Sequence, residues 1–287
     1  MLRLTEIRLP LGHPADALRT AILQRLKIDA SELLGYNIAR RAYDARKKTE
    51  IVFVYSLDAA VVDEARLLKR CSGEQHIKPT PDTEYKFVAR APVNLKKRPV
   101  IIGTGPCGFM AALLLAQMGF KPLILERGRE VRQRTKDTWA LWRNHRLDPE
   151  SNVQFGEGGA GTFSDGKLHT QIQDPRHLGV KILREFVKAG APEEILYVSK
   201  PHVGTFRLVS MLEKIREEII GLGGEFRFES RVTDIDIDAG QVRGVVLAGG
   251  ERIACDHVIL AIGHSARDTF QMLHDRGVYV EAKPFSI

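Results

Sequence analysis

The sequence is poor in cysteine and has no long apolar run. Its 287 residues include three cysteines, Cys71, Cys107 and Cys255, whose spacing matches neither a disulfide framework nor a zinc or iron–sulfur site. No run approaches the roughly 20 apolar residues that span a bilayer, and charges interrupt the apolar stretch at the start, MLRLTEIRLPLGH. These absences predict a chain with no metal and no membrane segment, and they favour a reducing, cytoplasmic location.

The first third of the chain lacks enough acidic residues to balance its basic ones. The first hundred residues carry 19 Lys and Arg against 12 Asp and Glu, whereas the remainder is balanced. Arg40-Arg41 and Arg46-Lys47-Lys48 flank a strand-like segment, so a nucleic-acid or acidic partner is possible at this basic edge. Only Tyr43 supplies an aromatic ring there, and the pattern favours a solvated hairpin face over a nucleic-acid surface.

The segment PVIIGTGPCGFMAALLLAQMGFKPLILE, residues 99–126, has the pattern of a complete nucleotide-binding βαβ unit. Its parts follow one another without a break: a β-branched strand at Val100–Ile102, glycines in G-x-G-x-x-G spacing at Gly103, Gly105 and Gly108, a helix-forming run at Phe109–Met118, and a second strand at Pro122–Leu125. The glycines permit a tight turn, close approach of a pyrophosphate and close packing of helix on strand. The helix N-terminus offers free N–H groups and partial positive charge to the phosphates.

Glu126 ends the second strand, 23 residues after Gly103. A carboxylate at this position can accept hydrogen bonds from ribose hydroxyls. It would also repel a 2′-phosphate, so the sequence disfavours NADP at this site. Ala112 and Gly119 are small where the helix must approach the sheet and where it must stop. A glycine-rich turn in another kind of α/β protein is the alternative, but the register of all these parts favours nucleotide binding.

This spacing resembles the FAD-binding motif of the two-dinucleotide-binding-domain flavoproteins, the group that includes glutathione reductase and many FAD monooxygenases. Arg127-Gly128, which follows, is similar to the FAD version of the motif. Two further segments, FGEGGAGTFSDGKL at 155–168 and AIGHSARDTF at 261–270, resemble more narrowly a family of uncharacterised NAD(P)/FAD-dependent dehydrogenases. The resemblance covers most of the chain. It implies an FAD-dependent oxidoreductase, with NAD(P)H as a candidate electron donor and an unknown small-molecule substrate.

The resemblance also implies which residues hold the cofactor. The fingerprint supplies Gly103, Gly105, Pro106, Cys107, Gly108, Glu126 and Arg127. In the family, the glycine-rich loop lies along the FAD pyrophosphate, and in this chain it supplies Gly158, Gly159, Ala160, Gly161 and Ser164. The resemblance places backbone groups of Val232 against adenine, and assigns Ala261 and Gly263 to a second cofactor-facing turn. A flexible surface loop is the alternative interpretation of residues 156–161.

The pattern predicts an α/β fold: a doubly wound, Rossmann-like FAD-binding domain at 91–287 with an inserted β-meander, preceded by a small basic α+β domain at 1–90. The first domain is expected to be ferredoxin-like, with strands at Leu2–Leu9, Tyr36–Ala45 and Ile51–Leu57 and helices at Ala15–Leu26 and Ala59–Leu68. The second domain is also expected to contain the start of a substrate domain.

Further elements are expected after Glu126. Helices are predicted at 130–146 and 205–222, and short strands from Glu225 onward are expected to form the meander before a buried strand, Val258–Ile262. Trp139 and Trp142, at i and i+3, are expected in the core. Ser265-Ala-Arg-Asp268 predicts a capping box that opens a helix.

No motif identifies catalytic residues. In flavin chemistry the cofactor carries the redox step, and the protein supplies position, shielding and charge. Lys167 is a candidate for positive charge near a reduced flavin or an anionic substrate, and His202 is a candidate on the substrate side, although ordinary structural roles account for both. His169 and His264 border the glycine segments, and the sequence fixes no partner for either.

Flavoproteins of the group that the chain resembles usually add a Gly-Asp turn near the C-terminus, which holds the ribityl chain and the flavin. The sequence has no such turn, so we expect the N-terminal portion of a longer enzyme, with Val278–Ile287 as the start of a strand. The leading hypothesis is an oxidoreductase in which flavin N5 accepts or donates a hydride. A flavin-dependent RNA-modifying enzyme, a non-catalytic FAD- or NAD-binding module and a direct NAD enzyme are the alternatives.

Overall fold

The computed structural model describes residues 1–47, 49–164, 166–168, 170 and 172–284. The chain divides into two compact units, one of residues 1–85 and 167–202, the other of residues 86–166 and 203–287. Residues 167–202 therefore group with the N-terminal unit, although the sequence pattern assigned them to the dinucleotide-binding domain. Of the helices in the described ranges, none combines the length and apolar character needed to cross a bilayer.

The helices and strands follow one another in this order: β1 (Leu2–Pro10), α1 (Ala17–Leu26), β2 (Leu33–Asp44), β3 (Val52–Val61), α2 (Glu64–Arg70), β4 (Ile77–Pro79), β5 (Val100–Ile102), α3 (Pro106–Gln117), β6 (Leu123–Leu125), α4 (Val131–Asn144), α5 (Leu178–Lys188), α6 (Thr205–Gly221), β7 (Glu225–Arg227), β8 (Val232–Asp238), β9 (Gln241–Leu247), β10 (Arg252–Ala254), β11 (Val258–Leu260) and α7 (Arg267–Asp275). Two short 3₁₀ turns, Ala160–Phe163 and Glu193–Leu196, complete the set.

The first unit contains an antiparallel sheet with strand order β2-β3-β1-β4. Side chains alternate across a strand, so one face of β1 presents Leu2, Leu4 and Ile7 to the core that also contains Ile22 and Leu26 of α1. This burial of one face explains why α1 and β1 form where the apolar periodicity predicts them.

The predicted helix at Ala59–Leu68 begins too early. Ala59 is fully buried and pairs with Leu2 on one side and Tyr36 on the other, so the strand continues to Val61. The helix starts only after Asp63, whose side chain accepts a hydrogen bond from a backbone N–H of the first turn. Burial between two strands outweighs the helix propensity of alanine here.

The second unit contains a parallel sheet with strand order β11-β5-β6-β7. The α/β class with a parallel sheet is therefore confirmed. One face of the sheet shares a core with the antiparallel sheet β10-β9-β8, to which Val100, Leu123, Val232 and Val245 contribute. On the other face α3 covers the strands, and the ring of Phe109 lies 5.6 Å from the ring of Phe226 on β7.

Two strands differ from their predicted places. The strand that begins at Glu225 was expected in the meander, but β7 pairs in parallel with β6 and so belongs to the parallel sheet. The strand at Val258 was expected to be buried, but β11 forms an edge of that sheet and the side chain of Leu260 is 41% exposed. Residues 278–284 form no strand, contrary to the prediction, and no neighbouring strand pairs with them among the described residues.

The expectation that Trp139 and Trp142 lie in the core is wrong. Their side chains are 45% and 52% exposed, and the two rings contact each other edge-on. Helix α4 instead buries Val131, Arg134 and Thr138, which share a face because they are spaced at i, i+3 and i+7.

Candidate functional site

A pocket of about 510 Å³ lies at the carboxyl ends of the parallel strands, within the second unit. Ile102, Leu125 and Leu260, the last residues of β5, β6 and β11, line it. Ligands of open α/β sheets bind at this edge, where the loops that follow the strands converge. Most of the residues expected to hold the cofactor line this pocket: Gly103, Gly105, Pro106, Cys107, Glu126, Arg127, Gly159, Ala160, Gly161, Val232, Ala261 and Gly263.

Three of the expected cofactor residues shape the loops around the pocket. A Cβ on Gly108 would lie 1.9 Å from the carbonyl oxygen of Gly103, so this glycine lets α3 pack on the preceding turn. Gly158 has a φ of 86°, and a Cβ there would lie 2.1 Å from the hydroxyl of Thr162. The hydroxyl of Ser164 donates to the carbonyl of Gly161 at 2.7 Å. These contacts stay within the protein, so direct cofactor contact by these three residues is still a prediction.

Two glycine turns approach each other closely at the pocket. A Cβ on Gly159 would lie 2.8 Å from the Cα of Gly105, so only glycine fits there. Within the described ranges, the backbone N–H groups of Cys107 and Gly108 at the start of α3, and those of Ala160 and Gly161 at the start of the 3₁₀ turn, have no acceptor. Such N–H groups carry partial positive charge. The two turns therefore offer converging donors to an anion, and they fit the diphosphate of a dinucleotide.

The carboxylate of Glu126 is buried and hydrogen-bonded within the protein. Its Oε2 accepts from the N–H and the hydroxyl of Thr104 at 2.9 and 2.6 Å, and its Oε1 accepts from the N–H groups of Gly128 and Gly156 at 2.8 and 3.0 Å. A carboxylate has about four acceptor positions, and four bonds occupy them. Glu126 therefore joins the turn after β5, the turn after β6 and the glycine loop, and a ribose hydroxyl would have to displace one of these bonds.

A buried arginine supports the glycine loop. Arg134 is fully buried and donates to the carbonyls of Asn152, Val153 and Glu157 at 2.8, 2.9 and 2.6 Å. Burial lowers its pKa to about 10, although the charges of Glu126 and Glu157 act in the opposite direction. Arg134 was not predicted as a functional residue. The only signal in the sequence was its place on the helix face shared with the apolar Val131.

Glu157 connects the glycine loop to two helices. Its Oε2 accepts from the N–H of Val131 on α4 at 2.6 Å and from Arg216 on α6 at 2.9 Å. Its Oε1 is buried and has no partner in the part of the chain that the structure describes. Burial raises the pKa of Glu157 to about 7, against the opposing effects of Val131 and Arg216. The charge beside the glycine loop therefore changes near neutral pH.

Two arginines that line the pocket are paired with carboxylates. Arg127 donates from Nε to Glu150 at 2.7 Å and from Nη1 to Asp268 at 2.9 Å, and its guanidinium lies 4.2 Å from the ring centre of Phe155. Burial acts to lower the pKa of Arg127, but the two carboxylates outweigh it and the pKa is raised. Arg231 lies 3.6 Å from Glu150 and 3.4 Å from Asp268. The four side chains form a ring of alternating charge.

The predicted capping box at Ser265 and Asp268 is absent. Helix α7 begins at Arg267 with no side-chain cap, the carboxylate of Asp268 binds Arg127, and the hydroxyl of Ser265 donates to Gln154 at 3.1 Å. Because the carboxylate of Asp268 is paired with Arg127, it does not accept the hydrogen bond that a capping box requires.

The candidate catalytic residues lie in different parts of the chain. Lys167 and His202 belong to the first unit, where they pair across an isolated antiparallel bridge. His264 lines the pocket, with its Nε2 3.2 Å from the hydroxyl of Ser265. His169 lies outside the described residues. Within the described ranges, no three His, Cys, Asp or Glu side chains lie close enough together to hold a metal ion.

Comparison with known proteins identifies the family. Residues 97–270, more than half of the chain, match the family described as "Pyridine nucleotide-disulphide oxidoreductase". The chain belongs to this family. The match confirms the flavoprotein resemblance, and it supports both cofactors expected from the sequence, FAD and a nicotinamide dinucleotide. Residues 1–60 match a second family, described as "Domain of unknown function (DUF8436)".

Two curated relatives are longer than this chain. An uncharacterized protein of Clostridium beijerinckii is 42% identical over 286 residues, which cover 100% of this chain and 53% of that protein. A kynurenine 3-monooxygenase of Salinispora arenicola is 28% identical over 197 residues, which cover 62% of this chain and 38% of that protein. The chain thus spans about half the length of the first relative, and less of the second.

Solved structures show distant likeness to the chain. Thermovibrio ammonificans THI4 has a TM-score of 0.43 at 17% identity, with 64% of each chain covered. Glycine oxidase from Bacillus cereus has a TM-score of 0.34 at 17% identity, with 64% of this chain and 59% of that chain covered. These likenesses are too low to carry an argument about function.

Proposed function

We propose that the second unit binds FAD and that the protein is an FAD-dependent oxidoreductase in which a hydride passes through flavin N5. The observation that carries the cofactor assignment is the close approach of Gly105 and Gly159, with N–H groups on both turns that have no acceptor among the described residues. The family match supports the reaction class. When bound, the flavin would supply the hydride-accepting ring, and the protein would supply position, charge and shielding from water.

The pocket residues divide the binding task. Backbone N–H groups of Cys107 and Ala160 would hold the diphosphate, since they lie at the starts of their helical turns and have no acceptor in the described part of the chain. Arg127 and Val232 would contact the adenosine half, because they follow or begin strands at the pocket. Ala261 and Gly263 would form the second cofactor-facing turn. Gly108, Gly158 and Ser164 would keep the loops in shape. Lys167 and His202 are retained as candidates for charge near flavin or substrate.

We also propose the finer domain organisation. The order β1-α1-β2-β3-α2-β4 and the sheet order β2-β3-β1-β4 support a ferredoxin-like module within residues 1–90. The antiparallel sheet β10-β9-β8, which lies in sequence between β7 and β11, supports a meander inserted in an FAD-binding domain at 91–287.

The alternatives differ in their support. The family match does not support a nucleic-acid partner. Within the basic edge, Arg46 pairs with Asp44, which also pairs with Arg8 of β1. A non-catalytic nucleotide module and a direct NAD enzyme are distinguished from an FAD oxidoreductase by what the protein binds and whether the bound flavin can be reduced.

Calorimetric titration of the purified chain with ADP, FAD and NADH tests the proposal. We expect ADP to bind and to compete with FAD, and we expect NADH or NADPH to reduce bound FAD. The Gly159→Val variant should lose ADP binding because a Cβ there meets Gly105, whereas Gly249→Val, in open space, should not. FAD binding without reduction by either nicotinamide would favour a non-catalytic module, NADH binding without FAD binding would favour a direct NAD enzyme, and binding of none of the three would refute the proposal.

A further inference from the structure

The ring of alternating charge, formed by Arg127, Glu150, Arg231 and Asp268, affects which dinucleotide the pocket can bind. Arg127 uses four N–H groups on two carboxylates: Nε and Nη2 bond Glu150 at 2.7 and 3.3 Å, and Nη1 and Nη2 bond Asp268 at 2.9 and 3.0 Å. A guanidinium has five N–H donors, so one is left. Arg231 faces the same two carboxylates.

Arginines beside the ribose are the groups that accommodate a 2′-phosphate in dinucleotide-binding folds, because their planar fork matches the phosphate oxygens. Here Arg127 lines the pocket two residues after the end of β6, and Arg231 lines it directly before β8. Carboxylates take four of the five donors of Arg127, whereas Arg231 donates one hydrogen bond to Asp268 at 3.4 Å and lies 3.6 Å from Glu150. The formal charges of the four side chains sum to zero. A phosphate placed against them would meet two carboxylates together with the two arginines.

We propose, on the basis of the function proposed above, that Glu150 and Asp268 determine cofactor choice. They occupy most donors of Arg127 and compensate the charges of Arg127 and Arg231, so that the pocket takes an adenine dinucleotide without a 2′-phosphate. The sequence assigned this selectivity to the carboxylate of Glu126. That carboxylate is already bound by four donors of the protein itself, and the ring supplies the selectivity instead. Removing the two carboxylates frees the fork of Arg127 and leaves both arginine charges uncompensated, which turns the same rim into a phosphate site.

The test uses a matched pair of ligands, ADP-ribose and 2′-phospho-ADP-ribose, which differ only in the phosphate. Calorimetry on the full chain measures the ratio of their dissociation constants. The wild type should prefer ADP-ribose by about tenfold or more, and Glu150→Gln with Asp268→Asn should reduce or reverse that ratio by about tenfold, since hydrogen bonds between charged groups are the strong ones. Glu251→Gln, which removes a carboxylate from a separate ion pair with Arg227, should leave the ratio unchanged.

A third substitution separates the ring from a general change in charge. Adding Arg231→Gln to the double variant should abolish the gain in affinity for 2′-phospho-ADP-ribose, while ADP-ribose still binds. If the wild type and the double variant both bind ADP-ribose and show the same ratio of dissociation constants for the two ligands, the inference is wrong and the proposed function stands. If the wild type binds neither ligand, the inference and the proposed function both fail. Binding of ADP-ribose by the double variant also shows that its pocket is folded.

Discussion

Replacing Arg134 with methionine should destabilise the second unit by about 3 kcal/mol. Methionine has a stem of similar length and no N–H donor, so the carbonyls of Asn152, Val153 and Glu157 and the hydroxyl of Thr162 each lose a hydrogen bond. At about 1.5 kcal/mol for each bond to a charged group, the loss is about 6 kcal/mol. Against this, the pKa of Arg134 is lowered to about 10 because the effect of burial exceeds the opposing effects of Glu126 and Glu157. This net shift corresponds to about 3 kcal/mol of unfavourable environment for the charge, which the substitution removes.

Urea unfolding followed by tryptophan fluorescence measures this free energy directly. The two tryptophans of the chain, Trp139 and Trp142, both lie on α4 beside Arg134, so the signal reports on the second unit. The matched control is Arg132→Met on the same helix, where the side chain is 68% exposed and paired with Glu213. An exposed ion pair contributes little to stability, so this variant should unfold at nearly the same urea concentration as the wild type. If Arg134→Met is no more destabilising than Arg132→Met, Arg134 does not support the loop.

Three further perturbations probe the glycine loop and the turns around the pocket. The pKa of Glu157 is raised from 4.5 to about 7 in the folded protein. Its contribution to stability should therefore be complete below pH 4.5 and should fall by about 3 kcal/mol as the pH rises through 7. The Glu157→Gln variant should lack this difference in stability between urea unfolding curves at pH 5 and pH 8. The Gly108→Ala variant places a Cβ 1.9 Å from the carbonyl of Gly103. A core clash of this kind costs about 3 kcal/mol, so the midpoint of thermal unfolding should fall by about 10 °C or more. The control Gly221→Ala has open space around the new Cβ and should leave the midpoint unchanged or raise it. Glu126→Gln turns one acceptor oxygen into a donor that faces at least one N–H donor, and it should weaken ADP binding by about tenfold in calorimetry. Unchanged affinity would mean that these bonds do not shape the pocket.

The local parts of the fold could be predicted from the sequence because their causes are local. The turn after β5 needs a positive φ at Gly103 and room for a carbonyl at Gly108, and both requirements appear directly as glycine spacing. The long amphipathic helix α6 lies within one residue of its predicted bounds, because the period of its apolar residues is itself the signal.

Other features depend on partners that are distant in the sequence. The strand at Ala59–Val61 exists because two neighbouring strands pair with it, and alternation alone could not assign β7 to the parallel sheet. Arg134 and Glu157 were missed because an arginine and a glutamate usually signal an exposed position. Their importance appears only once the glycine loop folds over α4 and provides carbonyls as acceptors.

The visible spectrum of the purified chain, followed by identification of any cofactor that heat releases, tests most directly whether the protein binds FAD. We predict absorption bands near ~370 and ~450 nm, either as isolated or after addition of FAD and removal of the excess, with intact FAD as the released compound. A folded protein that is colourless, retains no added FAD and binds no ADP would contradict the proposed function.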